Sequence, residues 1–457
     1  MTTPAVVGLA RRLTVFDATM IVMGGIIGAG IFRNPSVVAQ HVSQPSLMLG
    51  AWAAGGAIAL AGAFVYAELA QRRQEVGGQY AYIRDAFHPM AAFLYGWTLL
   101  LVTQTGGMAA VAMTFADYLQ ELTGLGIDRS VIAVATLLVL TVINCLGVRS
   151  GSNVQNALMV TKIAAILALV VLGWRAIAPV GAGAPSSVSG SATDSPFGFL
   201  RAMVPVLFAF GGWQTASFIS AEMKNSERDL PRGMLLGVLG VVVLYLAVNV
   251  VCIMALGPEQ LAATATPASD VMRLALGENG SRLMAAGIAV STVGFLSQGM
   301  LTAPRVYYAM ARDGLFFQSV GSLNARTRAP VVAIALQGVW ASVIVVFFGV
   351  YGPVLNYVVS LDAVFFGLTG AALLVFRHRD PVAVKGLAMP GHPWTTGVFV
   401  LAFWTLAAST IAQFPRDAGM GVLILLLGVP VYLFWRRRYL LALLAFGILS
   451  GILRLVT

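Results

Sequence analysis

The apolar residues of this chain come in long unbroken runs. About twelve runs of 18 or more predominantly apolar residues, each long enough to cross a bilayer as a helix, are separated by short polar loops. They fall near residues 13–32, 47–70, 90–116, 130–148, 153–175, 199–222, 233–257, 282–310, 329–350, 353–377, 394–414 and 417–435. The loops carry turn chemistry: Gly77-Gly78 after the second run, a Gly/Ser/Ala/Pro-rich stretch at 181–196, Pro231 before the seventh run, and Pro390 to Pro393 before the eleventh. None is long enough to be a separate domain. The predicted fold class is an all-α integral membrane protein with about 12 transmembrane helices in one embedded domain. The tail after residue 436 is apolar again but is interrupted by Arg454, which suits a helix lying in the interface better than a further span.

Composition strengthens the reading. Of the 457 residues 58% are hydrophobic and only 10% charged, against roughly 25% charged in a soluble domain. A net charge of +10 raises the question of a nucleic-acid partner, but the position of the basic residues answers it. With the N-terminus placed in the cytoplasm, most of the 28 Lys and Arg residues fall in inward-facing segments, as topology requires. No nucleic-acid partner is expected; the lipid bilayer of the cell's inner (plasma) membrane is. Arg11 and Arg12 precede a first run too long for a signal-peptide core and without a clear cleavage site, so it reads as an uncleaved helix. Cys145 and Cys252 both lie inside runs and imply no disulfide framework. His41, His88, His378 and His392 lie in separate loops, which argues against an intramembrane metal or haem enzyme. No cofactor, metal or catalytic residue is expected.

Two runs carry glycine clusters at mid-helix. The first contains Gly24-Gly25-Ile26-Ile27-Gly28-Ala29-Gly30, and the sixth contains Phe208-Ala209-Phe210-Gly211-Gly212-Trp213. A helix so weakened can unwind, and backbone groups freed in hydrocarbon cost several kcal/mol each unless a cavity or ligand satisfies them. An amino acid supplies the complementary groups. Its carboxylate suits the N–H groups at the positive end of the outer half-helix, and its ammonium suits exposed carbonyls. The competing reading of Gly24-x-x-x-Gly28 is close helix packing, and that of Gly211-Gly212 a hinge among core aromatics. Two breaks at corresponding positions favour a site. Dividing the chain into 13–175 and 199–377 gives two halves that each begin with a broken helix, as in inverted-repeat transporters; residues 1–12, 394–436 and 437–457 would be the N-terminal tail, two further helices and the C-terminal tail.

At these residues the chain resembles the amino acid-polyamine-organocation (APC) superfamily, most closely its L-type amino acid transporter branch. The matching pieces are 24–32, Tyr66-Ala-Glu-Leu-Ala70, Gly77-Gly-Gln-Tyr-Ala-Tyr82, 208–213 and 221–231. The resemblance implies the leucine-transporter fold, a 5+5 inverted repeat followed by two helices. It also implies carboxylate contacts at the N–H groups of Ala29 and Gly30, and ammonium contacts at the carbonyls of Ile26, Phe208 and Gly211, with Phe208 as an aromatic gate. The expected substrate-contact set is Ile26, Gly28, Ala29, Gly30, Phe208, Ala209, Gly211 and Gly212, with Trp213 a further pocket or gate candidate. Ala29 departs from the Ser of many relatives, and Asn225-Ser226 from the usual Asn-Pro.

Only Lys162 and Asp362 sit deep within predicted spans, and burying either demands a reason. Lys162 lies too far from both ends of its span to snorkel without strain, so its ammonium is expected among carbonyls of the broken helices, in place of a sodium ion. The resemblance implies the same, because sodium-independent members carry a lysine here. A structural pairing is the alternative, and proton exchange a further hypothesis. Asp362, roughly 13 Å of helix into its span, suits either a cationic group or proton of the substrate cycle or a bond to a neighbouring hydroxyl. Asp17, Glu68 and Glu222 read as interfacial caps or partners of Arg residues at span ends.

The function expected is sodium-independent amino acid transport by alternating access, as an exchanger or proton symporter, with neutral L-amino acids the preferred class. A polyamine or cationic amino acid carrier and a solute sensor without net transport are the alternatives; the sequence does not tell a sensor from a carrier, nor name a partner subunit. A membrane enzyme lacks the intramembrane His, Cys or carboxylate cluster it would need.

Overall fold

The computed structural model describes residues 9–124, 126–177, 195–348, 351–382, 384 and 386–456. Residues 1–8 of the expected N-terminal tail, and the Gly/Ser/Ala/Pro-rich stretch as far as residue 194, lie outside them. Among the described residues there is no β-strand, only one isolated parallel bridge between Leu13 and Met223. Among the described residues nine helices are long and apolar enough to cross a membrane, a bent pair makes a tenth span, and Arg129–Cys145 and Val331–Phe347 are shorter apolar helices. These elements fall where the apolar runs are.

Several spans differ inside from a plain helix. The first is divided into Val15–Ile26 and Gly30–Ala39, bent by 44°. The third, Pro89–Thr123, contains a π turn at Leu99–Thr103. The sixth begins as the α-helix Pro196–Ala209 and ends as a 3-10 helix, Trp213–Glu222. Helix starts follow local chemistry. Thr14 and Asp17 form a capping box at the first span, and proline occupies the first turn at Pro45, Pro89 and Pro196. The last helix, Pro415–Val456, continues through 437–456 without a break in its backbone, so the C-terminal tail is helical; its side chains past 437 lie outside the described residues. His378, expected in a loop, lies in the last turn of helix Tyr351–Arg379.

Packing is organised around the broken first span. Helix Ser226–Ala263, the seventh span, crosses both it and helix Pro45–Arg72. Lipid-like surroundings give no hydrophobic drive for helices to associate, so close contact between small residues has to hold them. Gly233 meets that need: a Cβ there would lie 2.4 Å from the Cβ of Ala18, so only glycine permits the approach.

Candidate functional site

The first break is an accounting problem in backbone hydrogen bonds, and polar side chains from three other spans solve it. Ile27 takes an extended conformation at the end of Val15–Ile26, which turns the following carbonyls out of the helix. The Lys162 ammonium, from the fifth span Val148–Ile177, lies 2.5 Å from the Ile27 carbonyl oxygen and 3.5 Å from that of Gly24. The Ser291 hydroxyl of the eighth span donates to the Gly28 carbonyl at 3.3 Å. The Tyr245 hydroxyl of the seventh reaches the Ile26 carbonyl at 3.0 Å and the Ala209 carbonyl at 3.3 Å, sharing one hydrogen between the two broken spans. What remains open is the other polarity. Gly30–Ala39 starts at the break with Ala29 as its N-cap, and helix geometry leaves its first N–H groups without an intrahelical partner.

The second break is held differently. Gly212 has φ +115°, in the left-handed region, and a Cβ there would stand 2.1 Å from the Gly25 carbonyl oxygen. The two broken helices therefore meet backbone to backbone. Bracing comes from nearby in sequence: Gln214 Oε1 accepts the Gly212 N–H at 3.0 Å, and the Thr215 hydroxyl donates to the Gly212 carbonyl at 2.7 Å. The Gly211 N–H donates to the Phe208 carbonyl at 3.1 Å.

A cavity of about 160 Å³ opens between the breaks. All eight residues of the sequence-derived contact set, Ile26, Gly28, Ala29, Gly30, Phe208, Ala209, Gly211 and Gly212, line it, and so does Asp362. Phe208 keeps 37% of its surface exposed although it sits in mid-span. The Ile26 carbonyl already accepts from the Tyr245 hydroxyl and from the Gly28 N–H, both at 3.0 Å, and the Phe208 carbonyl accepts from the Gly211 N–H. Two of the residues singled out from sequence stand elsewhere. Trp213 does not line the cavity: its indole is buried against Phe366 and Phe403, at ring separations of 5.3 and 5.9 Å. A bulky apolar ring after a glycine turn finds its place in the core. Lys162 is fully buried behind the first break, and Gly294 makes room for it, since a Cβ there would lie 2.7 Å from the lysine Cε.

The structure adds cavity residues that sequence reasoning did not name. The π turn of the third span brings Thr103 and Gln104 to the wall, the eighth span adds Phe295 and Gln298, and the eleventh, Trp394–Gln413, adds Phe403 and Leu406. Tyr245 and Ser291 act through the first break without lining the cavity. A tyrosine or serine in an apolar run is common, so only its partner marks it; the π turn has no sequence signal at all.

Away from the cavity the carboxylates are a cap and partners of Arg residues, as expected at span ends, and all three are buried. Glu222, at the end of the 3-10 helix, makes a two-oxygen pair with Arg305 with both side chains about 1% exposed. Glu68 is fully buried and accepts from Arg72 at 2.9 Å, Arg377 at 2.6 Å and the Met389 N–H at 2.8 Å. Asp17 accepts from the Thr14 N–H and hydroxyl, Ser152 and Asn156. Each Arg partner and hydrogen bond offsets the cost of taking a charge out of water, which explains why these charges tolerate burial. Among the described residues no group of three or more His, Cys, Asp or Glu could hold a metal ion.

Fold and site together define a polytopic membrane transporter of the APC type, not an enzyme. The chain belongs to the amino acid permease family, whose pattern it matches over residues 13–435. It is 28% identical to the serine/threonine exchanger SteT of Bacillus subtilis (strain 168), with 94% of this chain and 98% of that protein covered. It is also 28% identical to the human large neutral amino acids transporter small subunit 2, covering 94% and 82%, and to the mouse Asc-type amino acid transporter 1, covering 94% and 83%.

Proposed function

We propose that this protein is a sodium-independent carrier of neutral L-amino acids that works by alternating access, with the substrate's backbone groups held at the two breaks. The observation that carries the reading is the polarity of the first break. Its carbonyls are engaged by Lys162, Tyr245 and Ser291, while the N-terminus of Gly30–Ala39 is left open at the cavity. A carboxylate fits there, drawn by free N–H groups and the positive helix end. The substrate ammonium then meets the carbonyls of Ile26, Phe208 and Gly211. Lys162 supports sodium independence, because its fixed ammonium stands on the carbonyls a sodium ion would need. The names of the similar proteins, which specify serine and threonine or large neutral amino acids, support the neutral class. In this reading the spans form a 5+5 inverted repeat in the plasma membrane, with the N-terminus in the cytoplasm.

Uptake into proteoliposomes tests it. Radiolabelled neutral amino acids should enter at equal rates in sodium and in choline buffer. Counterflow against an internal amino acid, compared with an imposed pH gradient, separates exchange from proton symport. A strong dependence of uptake on sodium would overturn the role given to Lys162, and absence of any flux would overturn the carrier.

A further inference from the structure

The breaks recognise only what all amino acids share, so selection among side chains has to come from elsewhere in the cavity. Several of its polar groups are already engaged within the protein. Gln214 receives the Gly212 N–H, and the Gln298 amide donates to the Thr215 and Thr302 hydroxyls. Asp362 stands outside that network. It stands on the tenth span, Tyr351–Arg379, in the same cavity as Gly28, Ala29 and Gly30. Thr103, at the end of the π turn, lines the same cavity. Among the described residues it makes no ion pair.

A carboxylate has two oxygens with about four acceptor sites to be filled. The other in-span carboxylates show what the fold does when a carboxylate is only an anchor: Glu68 and Glu222 each have an arginine, and Asp17 a set of hydrogen-bond donors. Asp362 has neither, although the cavity around it is mostly apolar, with Val358, Phe366 and Leu406 among its walls. An acceptor left short of donors in such a place costs stability unless a donor arrives with the cargo. The π turn points the same way. It interrupts an otherwise regular helix at Thr103, in the same cavity wall, and such turns concentrate at functional sites.

We propose that Asp362 is the specificity-determining residue, and that the preferred substrates are amino acids whose side chain ends in a hydrogen-bond donor. The inference rests on the backbone groups being held at the breaks, as set out above, which leaves the side chain as the part that meets Asp362. A hydroxyl and an ammonium share this chemistry. The apolar walls hold the carbons of the side chain, and the carboxylate reads its end. Isosteric pairs isolate the effect: threonine differs from valine, and serine from alanine, by the hydroxyl at nearly constant volume.

The test is uptake by the purified, reconstituted protein, read as the threonine-to-valine ratio so that protein yield cancels. In the unaltered protein the ratio should be about tenfold or more, the size expected of a hydrogen bond to a charged group. In Asp362→Leu it should fall to about one. Should that variant carry no flux, the thermal stabilisation of purified Asp362→Leu by threonine and by valine replaces uptake, and the two ligands should then act equally. Lysine against norleucine identifies the donor. Lysine preferred, and lost in Asp362→Asn, puts an ammonium at Asp362; lysine rejected leaves the hydroxyl. Flux with no preference for threonine over valine, or a preference that survives Asp362→Leu, overturns the inference and leaves the carrier standing. No flux and no ligand-induced stabilisation with any amino acid overturns both.

Discussion

The two broken spans solve one problem in opposite ways. At the first, the chain leaves the helix at Ile27 and resumes as an α-helix at Gly30, and the freed carbonyls are satisfied by Lys162, Tyr245 and Ser291 from three other spans. At the sixth, the chain turns at Gly212 and resumes as a 3-10 helix, with bracing from Gln214 and Thr215 two and three residues on. A break held from outside moves only when other helices move with it. A break held locally travels as one piece. The first break is therefore coupled to the fifth, seventh and eighth spans, while the sixth, joined to the seventh only where Tyr245 reaches the Ala209 carbonyl, carries the support at Gly212 itself, as far as the buried Glu222–Arg305 pair at its end.

This contrast can be broken in graded steps. The largest effect belongs to the anchor of the 3-10 helix: Glu222→Ala leaves Arg305 charged and unpaired in the interior, at a cost of about 3–5 kcal/mol. Little folded protein should be recovered in size-exclusion chromatography, and a normal yield would mean the pair is no anchor. Next comes Gly212→Ala, whose Cβ collides with the Gly25 carbonyl at a left-handed φ. Strain of about 1–2 kcal/mol and overpacking of about 1–3 kcal/mol predict a lowered melting temperature together with loss of uptake.

Lys162→Met comes third and tests the asymmetry directly. It strips the Ile27 carbonyl of its donor, a loss of about 1–3 kcal/mol, and uptake should drop roughly tenfold. Gln214→Leu, the corresponding change at the locally braced break, should cost less; equal losses from the two would show that external and local support are equivalent. Tyr245→Phe removes a hydroxyl shared between both breaks, worth about 1 kcal/mol, and a rise of several-fold in the KM for uptake is the expected reading. The smallest effect is expected of Thr215→Val, because after the hydroxyl is gone the Gly212 carbonyl keeps the Thr215 N–H at 3.3 Å and the Gln298 amide keeps the Thr302 hydroxyl at 3.3 Å; uptake kinetics should scarcely change.

Much of the site was legible before any coordinates. Continuous apolar runs announce spans because lipid leaves the backbone no choice but to bond within itself. Glycine clusters mark where a helix yields, and a lone lysine in a run must find acceptors. All eight contact residues read from those clusters line one cavity, and Lys162 stands on a carbonyl of the first break. The packing reading of Gly24 and the unwinding reading of Gly28 both have a place. A Cβ on Gly24 would meet the Gln155 amide at 2.0 Å, whereas one on Gly28 meets only Phe295, at 3.7 Å across the cavity. Trp213 shows the limit of such reading: a glycine-flanked aromatic announces a break nearby without saying which way its ring turns.

Local chemistry thus wrote the spans, their breaks and the need of Lys162 for carbonyl partners into the order of residues, because each depends on neighbours within a turn or two or on the surrounding lipid. Which carbonyls Lys162 reaches, that Tyr245 joins the first break to the sixth, that Thr103 and Asp362 line one cavity and that Glu222 finds Arg305 were settled in space. Those contacts join residues on different spans, and a pairing of that kind exists only once the helices have packed at particular rotations and depths, which no apolar run specifies.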